Sequence, residues 1–208
     1  MRNITITIFI LLSVTNLSAQ VSQEWVTNYH SSTDVGYSVA VDENGNVYVT
    51  GSSTSPNGFD VVTVKYNSLG VEQWSKRYNS PENLDDEGLN IGLDDQGGVF
   101  VSGTSGDRLL LIKYNTNGVE QWVRVYNDIL YCRNMEVDAQ GNIFLCGTLL
   151  TSTSNHYIVL KYSSTGVFQW EAVYNDGGIS GVAAEITLDP FGNVYVTGQG
   201  NGVGPESN

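Results

Sequence analysis

The sequence predicts an all-β chain of repeated four-stranded antiparallel units, on three observations. Trp25, Trp74, Trp122 and Trp170, its only tryptophans, fall 49, 48 and 48 residues apart. Each closes a similar phrase: Gln-Glu-Trp at 23–25, Val-Glu-Gln-Trp at 71–74 and 119–122, Val-Phe-Gln-Trp at 167–170. Charged residues are only 15% of the chain, while Gly, Ser, Thr, Asn, Val and Tyr abound, which is a turn-rich and strand-rich balance. A period near 48 means supersecondary units that bury their apolar faces against one another.

The first 19 residues stand apart from the repeat. Arg2, a mostly apolar stretch from Ile4 to Val14, and Leu17-Ser18-Ala19 have the order of a signal peptide (1–19) cut after Ala19. An uncleaved anchor is the alternative, but the apolar stretch is short for a bilayer. No Cys follows the cut, which argues against a bacterial lipid anchor. The mature chain is therefore expected to be 20–208 and exported, secreted or at the cell surface, with the periplasm as the other compartment and no membrane insertion after cleavage. Without Arg2 it carries 8 basic and 22 acidic residues, formally −14. Such a surface repels nucleic acid and anionic lipid, and it attracts cations or basic surfaces.

Two cassettes alternate after that point. The first runs Asp-x-x-Gly-(Asn/Gly)-φ-(Tyr/Phe)-φ-x-Gly, φ being aliphatic: Asp42 to Gly51, Asp94 to Gly103, Asp138 to Gly147 and Asp189 to Gly198. The second runs from Lys-Tyr through Gly-Val-x-Gln to Trp: Tyr66 to Trp74, Tyr114 to Trp122 and Tyr162 to Trp170. Each reads as a hairpin. An Asp opening a turn accepts backbone hydrogen bonds two residues on, and Gly at the fourth position tolerates positive φ. A calcium loop is the functional alternative for these aspartates. It needs more oxygen ligands at alternating positions and a late Glu, which these copies lack.

Four strands per unit follow, a and b from the first cassette, c and d from the second. The expected organisation is a lone strand d at 25–30, units at 36–79, 88–127 and 131–175, and a half unit at 182–198. Strand c is almost wholly apolar (Val61-Val62-Thr63-Val64, Leu109 to Ile112, Tyr157 to Leu160), so both its faces are covered. Strand a alternates: Val39, Val41, Ile91, Leu93, Met135, Val137, Ile186 and Leu188 make one face. Ser38, Ala40, Asn90, Gly92, Asn134, Glu136, Glu185 and Thr187 make the other, small or polar. Sheets stacked about an axis lined by such residues describe a β-propeller. Each Trp shares its side of strand d with the Tyr four residues later, and packing anchors explain a Trp in every unit better than sugar platforms do. Lys65, Lys113 and Lys161 recur beside a Tyr in strand c, as structural ion pairs or cation–π contacts. Parity puts Cys132 and Cys146 on one face of one hairpin. Export would permit a disulfide, although adjacent antiparallel strands give it poor geometry.

The phrase from Val35 to Ser55 resembles the SBBP family of bacterial β-propeller repeats, and Gly181 to Gly198 does so nearly as well; 88–105 and 131–148 are looser copies. The resemblance implies a propeller of exported or surface proteins and brings no catalytic residues. The Gly-to-Trp spacing at 70–74, 118–122 and 166–170 is similar to the tryptophan-docking repeat of PQQ-type propellers, which implies a packing role for Trp and supplies no quinone site. The Asp-x-x-Gly-Asn phrase is similar to NHL repeats, which continue to Asp where this chain has Gly51, Gly103, Gly147 and Gly198. Three complete units, a lone strand d and a half unit fall short of the four to eight blades of a closed ring. The expectation is a fragment whose missing C-terminal blades are its first partner.

The fixed turns share one end of the stack and the variable loops the other, which is where binding usually resides. The expected function is a non-catalytic module presenting these loops to an unknown protein or glycan at the cell surface, with no cofactor and no metal. The candidate contact segments are 31–36, 53–58, 80–88, 104–107, 128–131, 149–156 and 176–181, with Asp34, Asp85, Asp86, Glu87, Asp107, Asp128, His156 and Asp176. An acidic rim recruits a cation or a basic partner, or is merely a solvated face. The alternative is a carbohydrate-active hydrolase or lyase, or an accessory domain of one, with Glu136 and Glu185 as the paired carboxylates. A purely architectural spacer or adhesin is the third class. His30 and His156 have no Ser or Cys nucleophile motif beside them, so a triad finds no support.

Overall fold

A computed structural model describes residues 23–29, 33–150, 155–174 and 181–200, with 127–131 in backbone only. The expected signal peptide, His30, the side chain of Asp128, and Asp176 lie outside the described residues. Thirteen strands are present among the described residues. Unit 1 is β1 (Asp34–Val41), β2 (Val47–Ser55), β3 (Gly58–Tyr66) and β4 (Glu72–Tyr78). Unit 2 is β5 (Asp86–Leu93), β6 (Val99–Ser105), β7 (Arg108–Tyr114) and the first part of β8 (Glu120–Val137). Unit 3 takes the rest of β8, then β9 (Ile143–Leu150), β10 (Asn155–Tyr162) and β11 (Phe168–Tyr174). A half unit, β12 (Gly181–Leu188) and β13 (Val194–Gly200), follows. Every neighbouring pair is antiparallel, in chain order.

The cassettes form hairpins for the expected reasons. Asp42 Oδ1 accepts the backbone N–H groups of Asn44 and Asn46, while its Oδ2 accepts the Asn46 amide at 2.8 Å and the Tyr48 hydroxyl at 3.1 Å. Asp189 repeats all four contacts with Phe191, Asn193 and Tyr195. Asp138 keeps the three to Gln140 and Asn142. In unit 2, Gly98 and Phe100 replace Asn and Tyr, and Asp94 Oδ2 instead lies 3.7 Å from Lys113 Nζ. These four aspartates are turn formers.

Every strand a carries a bulge five residues before its turn Asp, at Tyr37, Leu89, Arg133 and Ala184. Beside each bulge strand b places Gly51, Gly103, Gly147 or Gly198. A Cβ at Gly51 or Gly103 would fall onto the carbonyl oxygen of Val35 or Glu87. Close backbone approach at a bulge therefore explains why glycine closes this cassette.

Strand a of each later unit packs against strands of the unit before it. Tyr48 and Val61 of unit 1 meet Ile91, Val101, Leu110 and Tyr114 of unit 2. Phe100, Leu109 and Leu111 of unit 2 meet Met135, Leu145, Leu160 and Tyr162 of unit 3. Phe144 and Cys146 of unit 3 meet Ala183 and Ile186. The chain is thus all-β, a row of propeller blades with two-stranded material at its end.

Four expectations need correction. Residues 23–29 form no hydrogen-bonded strand; Trp25 and Tyr29 instead lean on Val62, Val64 and Tyr66, with no strand c beside them among the described residues. The segment 128–131 is not a loop, because β8 runs extended from unit 2 into unit 3. Strand pairing also continues to Ser55 and Ser105, so 53–58 and 104–107 shrink to two-residue turns. Finally, the bulge at Arg133 breaks the parity count. Cys132 faces unit 2 beside Leu145, whereas Cys146 faces the half unit beside Ala183. The thiols are free and buried on opposite faces, and no disulfide joins them.

Candidate functional site

The variable-loop end is organised by 79–85, the longest connection among the described residues. Ser80 anchors it: its Oγ accepts the Leu84 N–H, its carbonyl accepts the Asn83 N–H, and its own N–H donates to Asp86 Oδ2 at 2.6 Å. Asn83 takes the left-handed backbone at φ 52°, which asparagine tolerates because its short side chain bonds locally. Its Oδ1 accepts the amide N–H of both Asn79 and Asn57, the latter on the b–c turn of unit 1. Asp85 ties both neighbouring turns: its Oδ1 accepts the Phe59 N–H at 2.9 Å and its carbonyl accepts the Gly106 N–H at 2.9 Å.

Charge is paired below the loop. Asp60, buried, accepts from Arg77 Nη1 at 2.8 Å and from Ser55 Oγ, while Arg77 Nη2 reaches Ser53 Oγ at 2.7 Å. At the position of Asp60, unit 2 carries Arg108, whose guanidinium lies 3.6 Å from Glu82. Glu87 Oε1 accepts the Tyr37 hydroxyl from unit 1 at 3.3 Å.

The structure therefore divides the candidate acids. Asp85, Asp86 and Glu87 are engaged in holding the loop and the two units together, and Asp86 is fully buried. Asp34 and Asp107 are exposed. His156 is buried within β10 rather than displayed on a loop. The sequence-derived segments 53–58 and 80–88 enclosed Asn57, Glu82 and Asn83 without singling them out, and sequence reasoning missed Arg77, Asn79 and Arg108. The signal for Asn79, Glu82 and Asn83 was the unrepeated stretch from Asn79 to Asp85. Among the described residues no three His, Cys, Asp or Glu side chains converge to hold a metal ion.

Glu136 and Glu185 sit on strand a of adjacent units. Burial, then the negative charge of Glu185, raises the Glu136 carboxyl above its ordinary value. Burial likewise pushes the Cys132 thiol up to about 12 and the Cys146 thiol to about 11, so neither is a ready nucleophile.

At the opposite, turn end, each interface between complete units has one recurring contact. The Trp74 indole lies flat over Gly118 of the next unit, where a Cβ would come within 2.7 Å of the ring, and its Nε1 donates to the Thr116 carbonyl at 3.1 Å. Trp122 covers Gly166 and donates to the Ser164 carbonyl at 3.3 Å. The same two carbonyls are shared with lysine: Lys65 Nζ donates to Thr116 O at 3.4 Å and Lys113 Nζ to Ser164 O at 3.2 Å. Each lysine also lies over an aromatic ring of its own unit, 4.9 Å from Tyr48 and 4.5 Å from Phe100, the expected cation–π contact.

Uniform docked blades and one unrepeated loop define a β-propeller repeat protein. The model of the SBBP family, a β-propeller repeat, matches residues 20–60 and 179–205. The matched segments take in β1 and β2 of the first unit and the half unit, the two copies that most resemble the family phrase. Among solved structures, the chain is similar to a protein of unknown function from Bacteroides caccae determined at 1.35 Å resolution. The TM-score is 0.53 at 10% identity, over 80% of this chain and 57% of that one. At that identity the likeness concerns the fold alone, and this chain spans little more than half the length of its structural relative. No curated protein matches the sequence.

Proposed function

We propose that this chain is part of an exported, non-catalytic propeller module that recognises a cell-surface glycan or protein through the loop end around 79–85. One observation carries the reading. The turn end is uniform and its aspartates are satisfied internally, whereas 79–85 is unrepeated, held rigid by Ser80 and Asp85, and presents exposed Asn57, Asn79 and Asn83. Amide groups on a fixed backbone offer donors and acceptors to hydroxyl-rich or peptide ligands without net charge. Export is proposed from the order of residues 1–19.

The test is a glycan and cell-surface protein array probed with the wild type and with Asn57→Ala/Asn83→Gly. Glycine keeps the left-handed backbone at 83 and deletes only the amide. Binding lost in the variant supports the loop assignment, and binding retained in full removes it. A second reading, a carbohydrate hydrolase or lyase, draws on the placement of Glu136 and Glu185 on strand a of adjacent units, where burial and then the Glu185 charge raise the Glu136 carboxyl. It requires polysaccharide cleavage that Glu136→Gln abolishes.

A further inference from the structure

We infer that Lys161 and Trp170 form a two-donor clamp that receives a β-hairpin of this chain's own c–d type, laid along the edge of β13 that no other described strand pairs. Two completed interfaces set the rule. Lys65 with Trp74, and Lys113 with Trp122, each send both N–H donors to one carbonyl oxygen, two residues before the turn glycine on which the indole lies. Lys161 and Trp170 are the same pair in unit 3. The ammonium lies 4.7 Å over Phe144, and the indole meets Phe144 edge-on at 6.2 Å. Neither Lys161 Nζ nor Trp170 Nε1 has a hydrogen-bond partner among the described residues.

The apolar surface around the clamp continues an interface already built. Phe144, Cys146, Ala183 and Ile186 form its closed inner part. Outward, Tyr157, Val159, Trp170, Tyr174, Val194 and Val196 line an open groove of about 480 Å³. In unit 2 the equivalent space is filled by strand c, through Leu110, Ile112 and Tyr114. Tyr114 lies 6.1 Å from Trp74. The occupant is thereby specified. It is a strand with large apolar residues at alternate positions that ends in Tyr and turns through a glycine two residues after a free carbonyl. Its backbone would pair with the edge of β13 that is unpaired among the described residues.

A second copy of this chain is the poorer fit, because the turn on its exposed first face already has Trp25 over Gly70, with Cδ2 within 2.7 Å of a Cβ there. A further hairpin with an uncovered glycine has no such competitor. The inference rests on the propeller reading of the fold and not on ligand binding at 79–85, so either can fail alone.

The experiment joins a second copy of residues 106–127 to Asn208 through a flexible Gly/Ser linker of about a dozen residues. Amide hydrogen exchange is then followed at 194–200, with β3 and β6 as internal fold controls. The hairpin should slow exchange at 194–200 tenfold or more. Gly118→Val in the added copy, or Lys161→Met with Trp170→Phe in the chain, should remove most of that slowing while β3 and β6 stay unchanged. Unaltered exchange with the hairpin present overturns the proposal, as does equal protection by the valine hairpin. Protection that grows with concentration of the unmodified chain would make a second copy the occupant and overturn it too.

Discussion

Trp122 and Trp170 close the same phrase and hold the same register beside a strand-c lysine, yet they live in different surroundings. Trp122 is half-buried between two units, flat on Gly166 and bonded to Ser164. Trp170 is 37% exposed, and Tyr174 beside it is 62% exposed. Unit 1 mirrors this on its first face, where Val39 is 62% exposed although its equivalents Ile91, Met135 and Ile186 are buried, and Val41 is 60% exposed although Leu93, Val137 and Leu188 are half-buried. A repeat residue therefore contributes what its neighbouring unit allows, which is the nearest-neighbour logic of stacked repeats.

The largest test of that comparison is truncation of both indoles. Trp122→Ala should cost about 3 kcal/mol or more, as for other large aromatic deletions, and Trp170→Ala no more than about 1 kcal/mol, as for other exposed sites. Urea unfolding midpoints check this; equal losses would mean that the indole acts within its own unit.

Next in size is a pair of glycines with the same backbone. Gly118 (φ 75°) and Gly192 (φ 81°) are both left-handed, but a Cβ at Gly118 meets the Trp74 ring and Lys76, and one at Gly192 meets nothing within 4 Å. Gly192→Ala should cost about 1–2 kcal/mol from backbone strain. Gly118→Ala should cost about 1–3 kcal/mol more from overpacking. Thermal melts of the two variants read the difference directly.

Smaller effects separate the turn end from the axis by pH. Burial acts to raise the Asp42 carboxyl, but hydrogen bonds from Asn46, Tyr48 and Asn44 outweigh it and leave the group below its usual 3.8. Its contribution is present above that value and lost as pH falls through the folded value. Glu136 is shifted the other way from 4.5, by burial and Glu185, so its contribution is present at low pH and lost as pH rises through the folded value. Melting temperature should therefore fall for Asp42→Asn at pH 7 and rise for Glu136→Gln, both differences narrowing at pH 3. A rise for both, or a fall for both, would contradict the assignment. The smallest signal is chemical: alkylation of Cys132 and Cys146 at pH 7 should be negligible until urea unfolds the chain, because both thiols are buried and shifted up.

Much of the fold was legible because the repeat states it four times. The tryptophan period, the Asp-to-Gly turns, the doubly covered strand c and the Trp–Tyr pairing along strand d are all properties of local chemistry and alternation. The candidate site was far less legible. Asp85, Asp86 and Glu87 look like a free acidic cluster in one dimension, but they meet Phe59, Ser80 and Tyr37 only once two units are docked. Cys132 and Cys146 share a parity that a one-residue bulge reverses.

Taken alone, the sequence determined the unit: its four strands, its turn types and the residues each blade offers to the next. Turn conformation and strand alternation depend on residues a few positions apart, and a linear reading reaches that far. The tertiary structure decided which of those offers are met. It closed two Lys–Trp clamps on carbonyls 42 to 51 residues away and left the third without one among the described residues, because burial and pairing at an interface depend on what stands across it.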